Sequence, residues 1–328
     1  MSPVLVTGAA GFLGMHVARR LLDAGHAVVG IDEVNAYYDP SLKEARVARL
    51  LAHPGFQFER MDVADAGAVS ALFARHRFER VVHLAAQAGV RHSLKDPFAY
   101  DRSNLAGMTS MLEACRHAGV AHLVYASSSS VYGGNTKVPF NEDDRVDTPV
   151  SFYAATKRAN ELMAHTYAHL YGLPATGLRF FTVYGPWGRP DMAYWMFTDA
   201  ILSGRPIDVF GDGLLSRDFT YCDDVVTAIE RLAWMPPAAA VGAVAAAPHR
   251  ILNVGNSAPH TVNELIGTLE SLIGRQAVRV SKPMPPGDVA CTFADSARLA
   301  ALTGFRPTTA LRDGLAAFVG WFRDYHGR

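Results

Sequence analysis

A tyrosine and a lysine stand four residues apart in the stretch Tyr153-Ala-Ala-Thr-Lys157. On a helix, residues at this spacing share one face, so the lysine ammonium can lie beside the tyrosine phenol. A free phenol has a pKa of about 10 and is a poor base at neutral pH, but a nearby positive charge favours the phenolate. The spacing therefore predicts Tyr153 as a general base that Lys157 activates. The alternative is an ordinary surface pair on a helix, because the pattern is short.

A cluster of hydroxyl groups precedes this pair. The apolar run His122-Leu-Val-Tyr-Ala126 is typical of a buried strand, and four serines follow it at positions 127–130. Serine hydroxyls at the end of a strand can share the proton of the tyrosine and hold a substrate alcohol. The surroundings thus favour a site for proton transfer rather than a surface pair.

A glycine-rich turn joins the first predicted strand to the first predicted helix. The apolar run 3–7 is followed by Gly8-Ala-Ala-Gly11-Phe-Leu-Gly14, a helix is predicted over 16–24, and a second strand, 27–31, ends at Asp32. In this context the glycines let the backbone approach a pyrophosphate at the helix N-terminus, and the acid accepts hydrogen bonds from ribose hydroxyls. The charge of Asp32 would repel a 2′-phosphate, which favours NAD over NADP. A tight turn with only a structural role is the alternative.

Strands and helices continue to alternate along the first half of the chain. Strands are predicted at 56–61, 80–85, 122–126 and 175–181, and helices at 69–75, 101–118 and 153–171. This rhythm predicts an α/β protein with a Rossmann-type, doubly wound parallel sheet. Such sheets bind ligands outside the carboxyl ends of their strands, where the glycine turn, Asp32, Asp62, Ala85-Ala86 and the serine cluster all lie. Asp62, after the third strand, is expected to meet the adenine amino group.

Composition excludes several classes of protein. The 328 residues include 31 basic and 31 acidic side chains, a balance that gives no hint of a nucleic-acid partner. Three cysteines form an odd set without metal-ligand spacing, which is typical of a reduced cytoplasmic protein. His83 and His92 have no carboxylate or second histidine at such spacing, so we expect no metal. We read neither a signal peptide nor a membrane span and expect no membrane partner.

The character of the chain changes near residue 182. The segment 182–193 is rich in glycine, proline and aromatic residues, and helices are predicted later, at 223–234, 260–273 and 313–325. We predict that residues 1–182 form an NAD-binding domain, to which the chain returns at about 216–256. Residues 183–328 then form mainly a smaller, substrate-binding α/β region.

Both short motifs and longer strings of this sequence resemble those of a known protein family. GAAGFLG, the serine-rich strand end, the Tyr153/Lys157 pair and RDFTY with the following Asp223-Asp224 resemble the extended short-chain dehydrogenase/reductase family, in its NAD-dependent epimerase/dehydratase group. The likeness covers nearly the whole chain. Three further strings, IDEVNAYYDPSLKEAR, LAAQAGVRHS and RFFTVYGPWGRPDMA, are most similar to the UDP-glucuronate 4-epimerases within that family.

The resemblance implies hydride chemistry with no net oxidation. Tyr153 takes the proton of the 4-hydroxyl of a UDP-sugar while carbon 4 gives hydride to NAD, the 4-keto sugar turns over, and hydride returns to the opposite face. Lys157 is expected to lower the tyrosine pKa and to hold the nicotinamide ribose, and Ser128 to bond the sugar 4-oxygen. Relatives often form homodimers through two helices, here 101–118 and 153–171. The cofactor-binding residues implied besides Tyr153 and Lys157 are Gly8, Gly11, Phe12, Leu13, Gly14, Asp32, Asp62, Val63, Leu84, Ala85, Ala86 and Asn104.

The resemblance also implies a set of substrate-binding residues, some with structural alternatives. Ser129 and Ser130 border the sugar pocket, and Thr182 and Arg189 are suited to hold a sugar carboxylate, as a hydroxyl donor and a planar cationic fork. Arg189 would otherwise pair with Asp191. The remaining positions are Arg217 (diphosphate, or a pair with Asp218), Phe210 (uracil, or core), Asp288 (uridine ribose, or a turn) and Arg91 (diphosphate, or a structural bridge).

Relatives with other activities differ at identifiable positions. Galactose-type 4-epimerases carry asparagine where this chain has Thr182, and decarboxylating relatives carry glutamate where it has Ser130. Dehydratase relatives carry an Asp-Glu pair in place of Ser129 and Ser130. The interpretation favoured is a UDP-glucuronate 4-epimerase. A UDP-glucose/galactose 4-epimerase, a UDP-glucuronate decarboxylase and a non-catalytic NAD sensor on the same fold stay open as alternatives.

Overall fold

The computed structural model describes residues 2–238, 247–283 and 289–328. Its strands are β1 (Val4–Thr7), β2 (Val28–Asp32), β3 (Phe56–Arg60), β4 (Arg80–His83), β5 (His122–Ser128), β6 (Ala175–Phe180), β7 (Thr182–Tyr184), β8 (Pro206–Phe210), β9 (Ser216–Tyr221), β10 (His249–Val254), β11 (Pro259–Thr261) and β12 (Val278–Lys282). Its α-helices are α1 (Phe12–Asp23), α2 (Pro40–Leu51), α3 (Ala66–Arg75), α4 (Pro97–Tyr100), α5 (Gly107–Ala118), α6 (Phe152–Tyr171), α7 (Ala193–Ser203), α8 (Cys222–Ala233), α9 (Val262–Ile273), α10 (Ala297–Thr303) and α11 (Leu311–His326).

The main sheet has seven strands in the order β10-β6-β5-β4-β1-β2-β3. The pairs of β1 with β2 and β4, of β2 with β3 and of β4 with β5 are parallel. The order reverses beside β1, so the carboxyl ends of β1 and β4 open a crevice of the kind that binds dinucleotides. The predicted doubly wound α/β sheet is confirmed.

Local sequence signals explain where the site-bearing helices begin and end. Ser151 caps α6, since its side chain accepts a hydrogen bond from the Ala154 amide, and Gly172 ends the helix in the left-handed conformation. The α1 helix differs, because Gly11 precedes it and no side chain caps its first amides. The N-terminus of α1 therefore keeps backbone donors for another acceptor.

One long helical stretch contains an irregular turn. The helix predicted over 101–118 runs from Pro97 to Ala118, and Asp101–Ala106 within it is π-helical. Single π turns inside α-helices are frequent at functional sites. This turn carries Asn104, whose side chain is buried.

The chain divides into two compact units. The first comprises residues 1–134, 145–179 and 226–252, and the second residues 135–144, 180–225 and 253–328. The main core of the first unit packs Leu5, Val81, Leu123 and neighbouring apolar residues of the sheet against α3 and α5. The second unit contains the sheet β11-β9-β7 and the parallel pair β12-β8.

Within the described residues, three helices, α2, α7 and α10, were not predicted from the sequence. In α2, Asp39 caps the helix and Pro40 opens it, a local signal for a helix start. In α7 the aromatic residues obscure the helical period, and α10 has only seven residues. Within the described residues, no helix is long and apolar enough to cross a membrane.

Candidate active site

The glycine turn between β1 and α1 packs too tightly for any other residue type. Gly8 has φ +71°, and a Cβ there would lie 2.8 Å from the Ala85 nitrogen. A Cβ on Gly14 would lie 1.9 Å from the Gly8 carbonyl oxygen. The turn therefore requires these glycines, and it places the N-terminus of α1 at the carboxyl end of β1, where an anion fits. Phe12 and Leu13 form the first turn of that helix.

Asp32 ends β2 beside this turn. Its carboxylate accepts hydrogen bonds from the amides of Ala10 (3.1 Å) and Val34 (2.8 Å). Burial raises the pKa of Asp32, while these hydrogen bonds and the charges of Lys43 and Arg46 oppose the rise. The carboxylate is thus held by backbone donors at the strand end where a ribose is expected.

Two buried cations that the sequence analysis missed hold the loop after Asp32. The Lys43 ammonium donates to the Asn35 backbone carbonyl at 2.9 Å and to its side-chain oxygen at 2.6 Å. Arg46, fully buried, donates to the Ala10 carbonyl at 3.0 Å and to the Tyr38 hydroxyl at 2.6 Å. The sequence signal for these residues is their spacing in DPSLKEAR: Lys43 and Arg46 are three residues apart, so they share one face of α2.

Asp62 follows β3 and is already engaged within the protein. One oxygen accepts from the Ala64 amide at 2.8 Å, and the other pairs with the Arg102 guanidinium at 2.6 Å. Val63 is buried against Gly107, where an added Cβ would meet its side chain at 2.7 Å. The interaction of these residues with adenine stays a prediction.

The half-buried residues Leu84, Ala85 and Ala86 follow β4, next to a buried hydrogen-bonded pair. The Thr7 hydroxyl accepts from the Ala85 amide at 3.0 Å and lies 2.8 Å from Nδ1 of His83. Burial and then the charge of Lys157 lower the pKa of His83 to about 3, so this ring is neutral. His83 is therefore a buried neutral ring whose hydrogen-bond partner is Thr7.

Asn104, in the π turn, ties two segments of the site together. Its side-chain oxygen accepts from the Gln87 amide at 2.8 Å, and its nitrogen donates to the Gln87 carbonyl at 3.1 Å and to the Thr156 hydroxyl at 3.0 Å. Asn104 thereby connects the segment after β4 with α6. The contact of Asn104 with the cofactor stays a prediction.

Tyr153 and Lys157 occupy successive turns of one face of α6. Lys157 is buried, and its ammonium donates to the Ala126 carbonyl of β5 at 2.9 Å. Burial lowers the pKa of Lys157 to about 8. The half-buried Tyr153 ring packs edge-on against Tyr100, with centroids 6.0 Å apart. The hydrogen bond of Lys157 fixes α6 against the strand that ends in the serine cluster.

The serines form a connected group at the carboxyl end of β5. Ser128 caps the 3₁₀ turn Ser129–Tyr132, and its hydroxyl accepts from the Ser130 amide at 3.2 Å. The Ser130 hydroxyl donates to the Ser128 oxygen at 2.9 Å. Ser128, Ser129 and Ser130 are partly accessible, so this turn can present hydroxyls to a ligand.

A buried ion pair behind the serines was also missed from the sequence. Arg179 of β6 binds Glu161 of α6 through two hydrogen bonds of 2.8 and 2.9 Å. Glu161 also accepts from the Ser127 hydroxyl at 2.6 Å, and Arg158 lies 3.0 Å from its other oxygen. The position of Glu161, four residues after Lys157 on the same helix face, was the available signal.

The second unit carries Thr182 and Arg189 on and after β7. Thr182 begins β7 and pairs in register with Phe219 of β9. Arg189 forms a fork with Asp191, in which Nε donates to one carboxylate oxygen at 3.0 Å and Nη2 to the other. The structure therefore contains the pair of Arg189 with Asp191, which was the structural alternative to a role in substrate binding.

Other predicted substrate-binding residues lie in different settings. Arg217 donates to the Ser216 carbonyl at 2.8 Å, whereas Asp218 is fully buried and accepts from the amides of Asn256, Ser257 and Ala294. Asp218 therefore ties two other backbone segments of the second unit, at 256–257 and at 294, to β9. Phe210, at the end of β8, is partly exposed. Arg91, before a short 3₁₀ turn in the first unit, is exposed. Asp288 lies outside the described residues.

Comparison with known proteins identifies the family. The sequence model of the NAD dependent epimerase/dehydratase family matches residues 4–255. This chain belongs to that family. A relative in the family, a probable UDP-glucuronate 4-epimerase of Rhizobium meliloti, is 48% identical over 333 residues, which cover 99% of this chain and 98% of the relative.

Solved structures in the epimerase/dehydratase family match over the whole fold. A UDP-glucuronic acid 4-epimerase of Bacillus cereus, in complex with UDP-glucuronic acid and NAD, superposes with a TM-score of 0.90 at 33% identity, covering 98% of this chain and 99% of that one. A UDP-glucose 4-epimerase of Thermotoga maritima with UDP-glucose gives 0.87 at 31% identity and covers 99% of each chain. Within the described residues, no group of three or more His, Cys, Asp and Glu side chains is placed to hold a metal ion.

Proposed function

We propose that this protein is a UDP-glucuronate 4-epimerase that interconverts UDP-glucuronate and UDP-galacturonate with tightly bound NAD. The observation that carries the proposal is the hydrogen bond of Lys157 to Ala126, because it joins the helix of the Tyr153 base to the strand that ends in Ser128. A general base, a cation beside it and a hydroxyl partner for the sugar are then held on two adjoining elements.

The residues of the first unit fit the cofactor. The glycine turn leaves no room for a side chain, α1 begins without a side-chain cap, and Asp32 presents a carboxylate at the end of β2. The pyrophosphate would lie at the first amides of α1, and Asp32 would accept from the adenosine ribose. We propose Lys157 for the nicotinamide ribose. When bound, NAD accepts the hydride of carbon 4 and gives the same hydride back.

Proton transfer is the work of the protein side chains. In the proposed reaction, the Tyr153 phenolate removes the proton of the sugar 4-hydroxyl, and Ser128 donates to or accepts from the same oxygen. The positive charge of Lys157 stabilises the phenolate. When the sugar has turned over, Tyr153 returns the proton to the 4-oxygen, so the substrate is isomerised without net oxidation.

An acid sugar places a further demand on the site. Oxidation of glucuronate at carbon 4 gives a β-keto acid, which loses carbon dioxide when its carboxylate stands orthogonal to the ketone. We propose that Thr182 and Arg189 hold this carboxylate in place, because a hydroxyl donor and a planar guanidinium together fix its rotation. We also assign Ser129 and Ser130 to the sugar, and Arg217, Arg91, Phe210 and Asp288 to the UDP moiety.

A homodimer and a cytoplasmic location complete the proposal. The apolar side chains Leu162 and Leu170 of α6 are 53% and 61% exposed, so this helix offers an apolar face to a second copy. The three cysteines are free, as expected in a reducing compartment. Light scattering of the wild type and of Leu162→Glu tests the dimer, and a monomeric wild type would contradict it.

Product analysis tests the function. Purified protein, without added NAD, is incubated with UDP-glucuronate and separately with UDP-glucose, and products are resolved by chromatography and mass. UDP-galacturonate of unchanged mass is expected. A product lighter by carbon dioxide would identify a decarboxylase, and turnover of UDP-glucose alone would identify a galactose-type epimerase. If neither UDP-glucuronate nor UDP-glucose is converted, even with NAD added, the result would favour the non-catalytic sensor.

A further inference from the structure

The fork between Arg189 and Asp191 places a carboxylate of the protein where the proposed function needs the carboxylate of the substrate. The pair is formed by two hydrogen bonds, one to each carboxylate oxygen, and the bond from Nε to Oδ1 measures 3.0 Å. The side chains are 22% and 30% exposed, so a ligand can reach them. Carboxylate–guanidinium forks of this kind are the geometry in which arginine recognises acidic ligands.

The backbone of residues 188–192, which carries Arg189 and Asp191, is fixed by hydrogen bonds and by packing. The Arg189 amide donates to the Tyr194 hydroxyl at 3.3 Å, and Tyr194 is fully buried. A Cβ on Gly188 would lie 2.0 Å from the same hydroxyl, so the chain packs directly on this ring. The Met192 amide donates to the Arg189 carbonyl at 3.3 Å, which closes a turn that includes Asp191.

Aromatic packing fixes Trp187, which lies two residues before Arg189. Trp187 has φ +60°, a left-handed conformation that is unfavourable for a bulky residue. Its ring packs against Trp321 at 5.1 Å and Tyr325 at 5.3 Å between centroids, both on α11 of the same unit. Because the backbone is held on both sides, exchange of partners at Arg189 requires only side-chain rotation.

We propose that Asp191 is a specificity-determining residue that acts as a built-in competitor for the substrate carboxylate. This inference rests on the proposed function and deepens it. Without an acidic ligand, Asp191 occupies the guanidinium of Arg189. The carboxylate of UDP-glucuronate takes its place, whereas a neutral hexose has no group that can do so. Recognition of the acid sugar is then an exchange of one carboxylate for another on a preorganised loop.

The test is Asp191→Asn, which keeps the shape of the side chain but removes the competing charge. The Kd of NAD-loaded protein for UDP-glucuronate is expected to fall about two- to fivefold, the range that corresponds to one partly exposed ion pair. The Kd for UDP-glucose should not change. Asp199→Asn is the matched control, since it removes a partly exposed carboxylate that pairs with Arg205 and Arg328 in the same unit.

Calorimetry with both nucleotide sugars separates the outcomes. In an Arg189→Ala background, Asp191→Asn should no longer improve binding of UDP-glucuronate, because there is no guanidinium to release. An unchanged or higher Kd for UDP-glucuronate in Asp191→Asn would overturn the inference, and an equal gain for UDP-glucose would do the same. If the wild type binds UDP-glucuronate without converting it, the proposed function fails while this binding test still decides the role of Asp191. Binding of neither sugar would overturn both.

Discussion

At the scale of single residues, the proposed chemistry depends on the positive charge of Lys157, which burial makes easier to lose. Lys157 has almost no solvent contact, and this lowers the pKa of its ammonium to about 8. The charged form predominates below that pH and, in the proposed mechanism, supports the Tyr153 phenolate, whereas the neutral form above it does not. The same burial that brings the cation close to its partners thus limits the pH range in which it acts.

We therefore expect kcat/KM to decline above about pH 8, as Lys157 loses its proton. A pH profile of NAD-loaded enzyme from 6 to 10 measures this limb. Lys157→Arg carries a guanidinium with a pKa above about 12 and should lose the limb, even if it turns over more slowly. A limb that stays near pH 8 in this variant would assign it to another group.

At the scale of elements, the site depends on how α6 is attached to the sheet. Three side chains of α6 at successive turns have different roles: Tyr153 is the proposed base, Lys157 bonds to β5, and Glu161 pairs with Arg179 of β6. The Ser127 hydroxyl adds a bond from β5 to Glu161. The helix that carries the proposed base is thereby fixed to β5, which ends in the serine turn, and to β6.

Glu161→Ala should cost about 3–5 kcal/mol in the free energy of unfolding, because it leaves the buried Arg179 without its carboxylate. Urea titration measures the loss. The matched control is Asp23→Ala, which breaks the exposed pair with Arg19 and should cost less than about 1 kcal/mol. Equal losses in the two variants would show that burial does not raise the importance of the Glu161 pair.

At the scale of the whole molecule, buried neutral histidines make stability depend on pH. Burial is the largest cause that lowers the pKa of His83 to about 3 and of His122 to about 4. In the unfolded chain both titrate near 6.5. Between these values the unfolded state binds more protons than the folded state, so stability falls as pH falls from about 6.5 towards 4. Burial raises the pKa of Asp32 and Asp218, and these groups oppose the trend.

The expected slope is up to about 1.4 kcal/mol per pH unit for each of the two histidines. Urea unfolding between pH 7.5 and 5 measures it. His122→Gln should be less stable at neutral pH, since His122 bonds Thr176 and the Ala233 carbonyl, but its slope should be shallower. His117→Gln, at an exposed position, is the control. An unaltered slope in His122→Gln would contradict the assignment.

The sequence by itself determined the features that depend on neighbours along the chain. Alternating apolar runs predicted the parallel sheet, the glycine spacing predicted the turn before α1, and the four-residue spacing of Tyr153 and Lys157 placed them on one face. Periodicity, caps and turns are local properties, so they can be read from a short window. The glycine turn and Asp32 also indicated NAD, whereas the assignment to an acid sugar came from resemblance; the experiments above test both.

Only the tertiary structure decided which distant groups meet. The pairs Thr7 with His83, Asn104 with Thr156 and Glu161 with Arg179 join residues 76, 52 and 18 positions apart. Their formation depends on which strands and helices become neighbours in the fold, and no local pattern contains that information. For Arg189, sequence reasoning left two partners open, and the fold of its loop selected Asp191. A side chain's partner is chosen by geometry in three dimensions, because charge and spacing alone permit several.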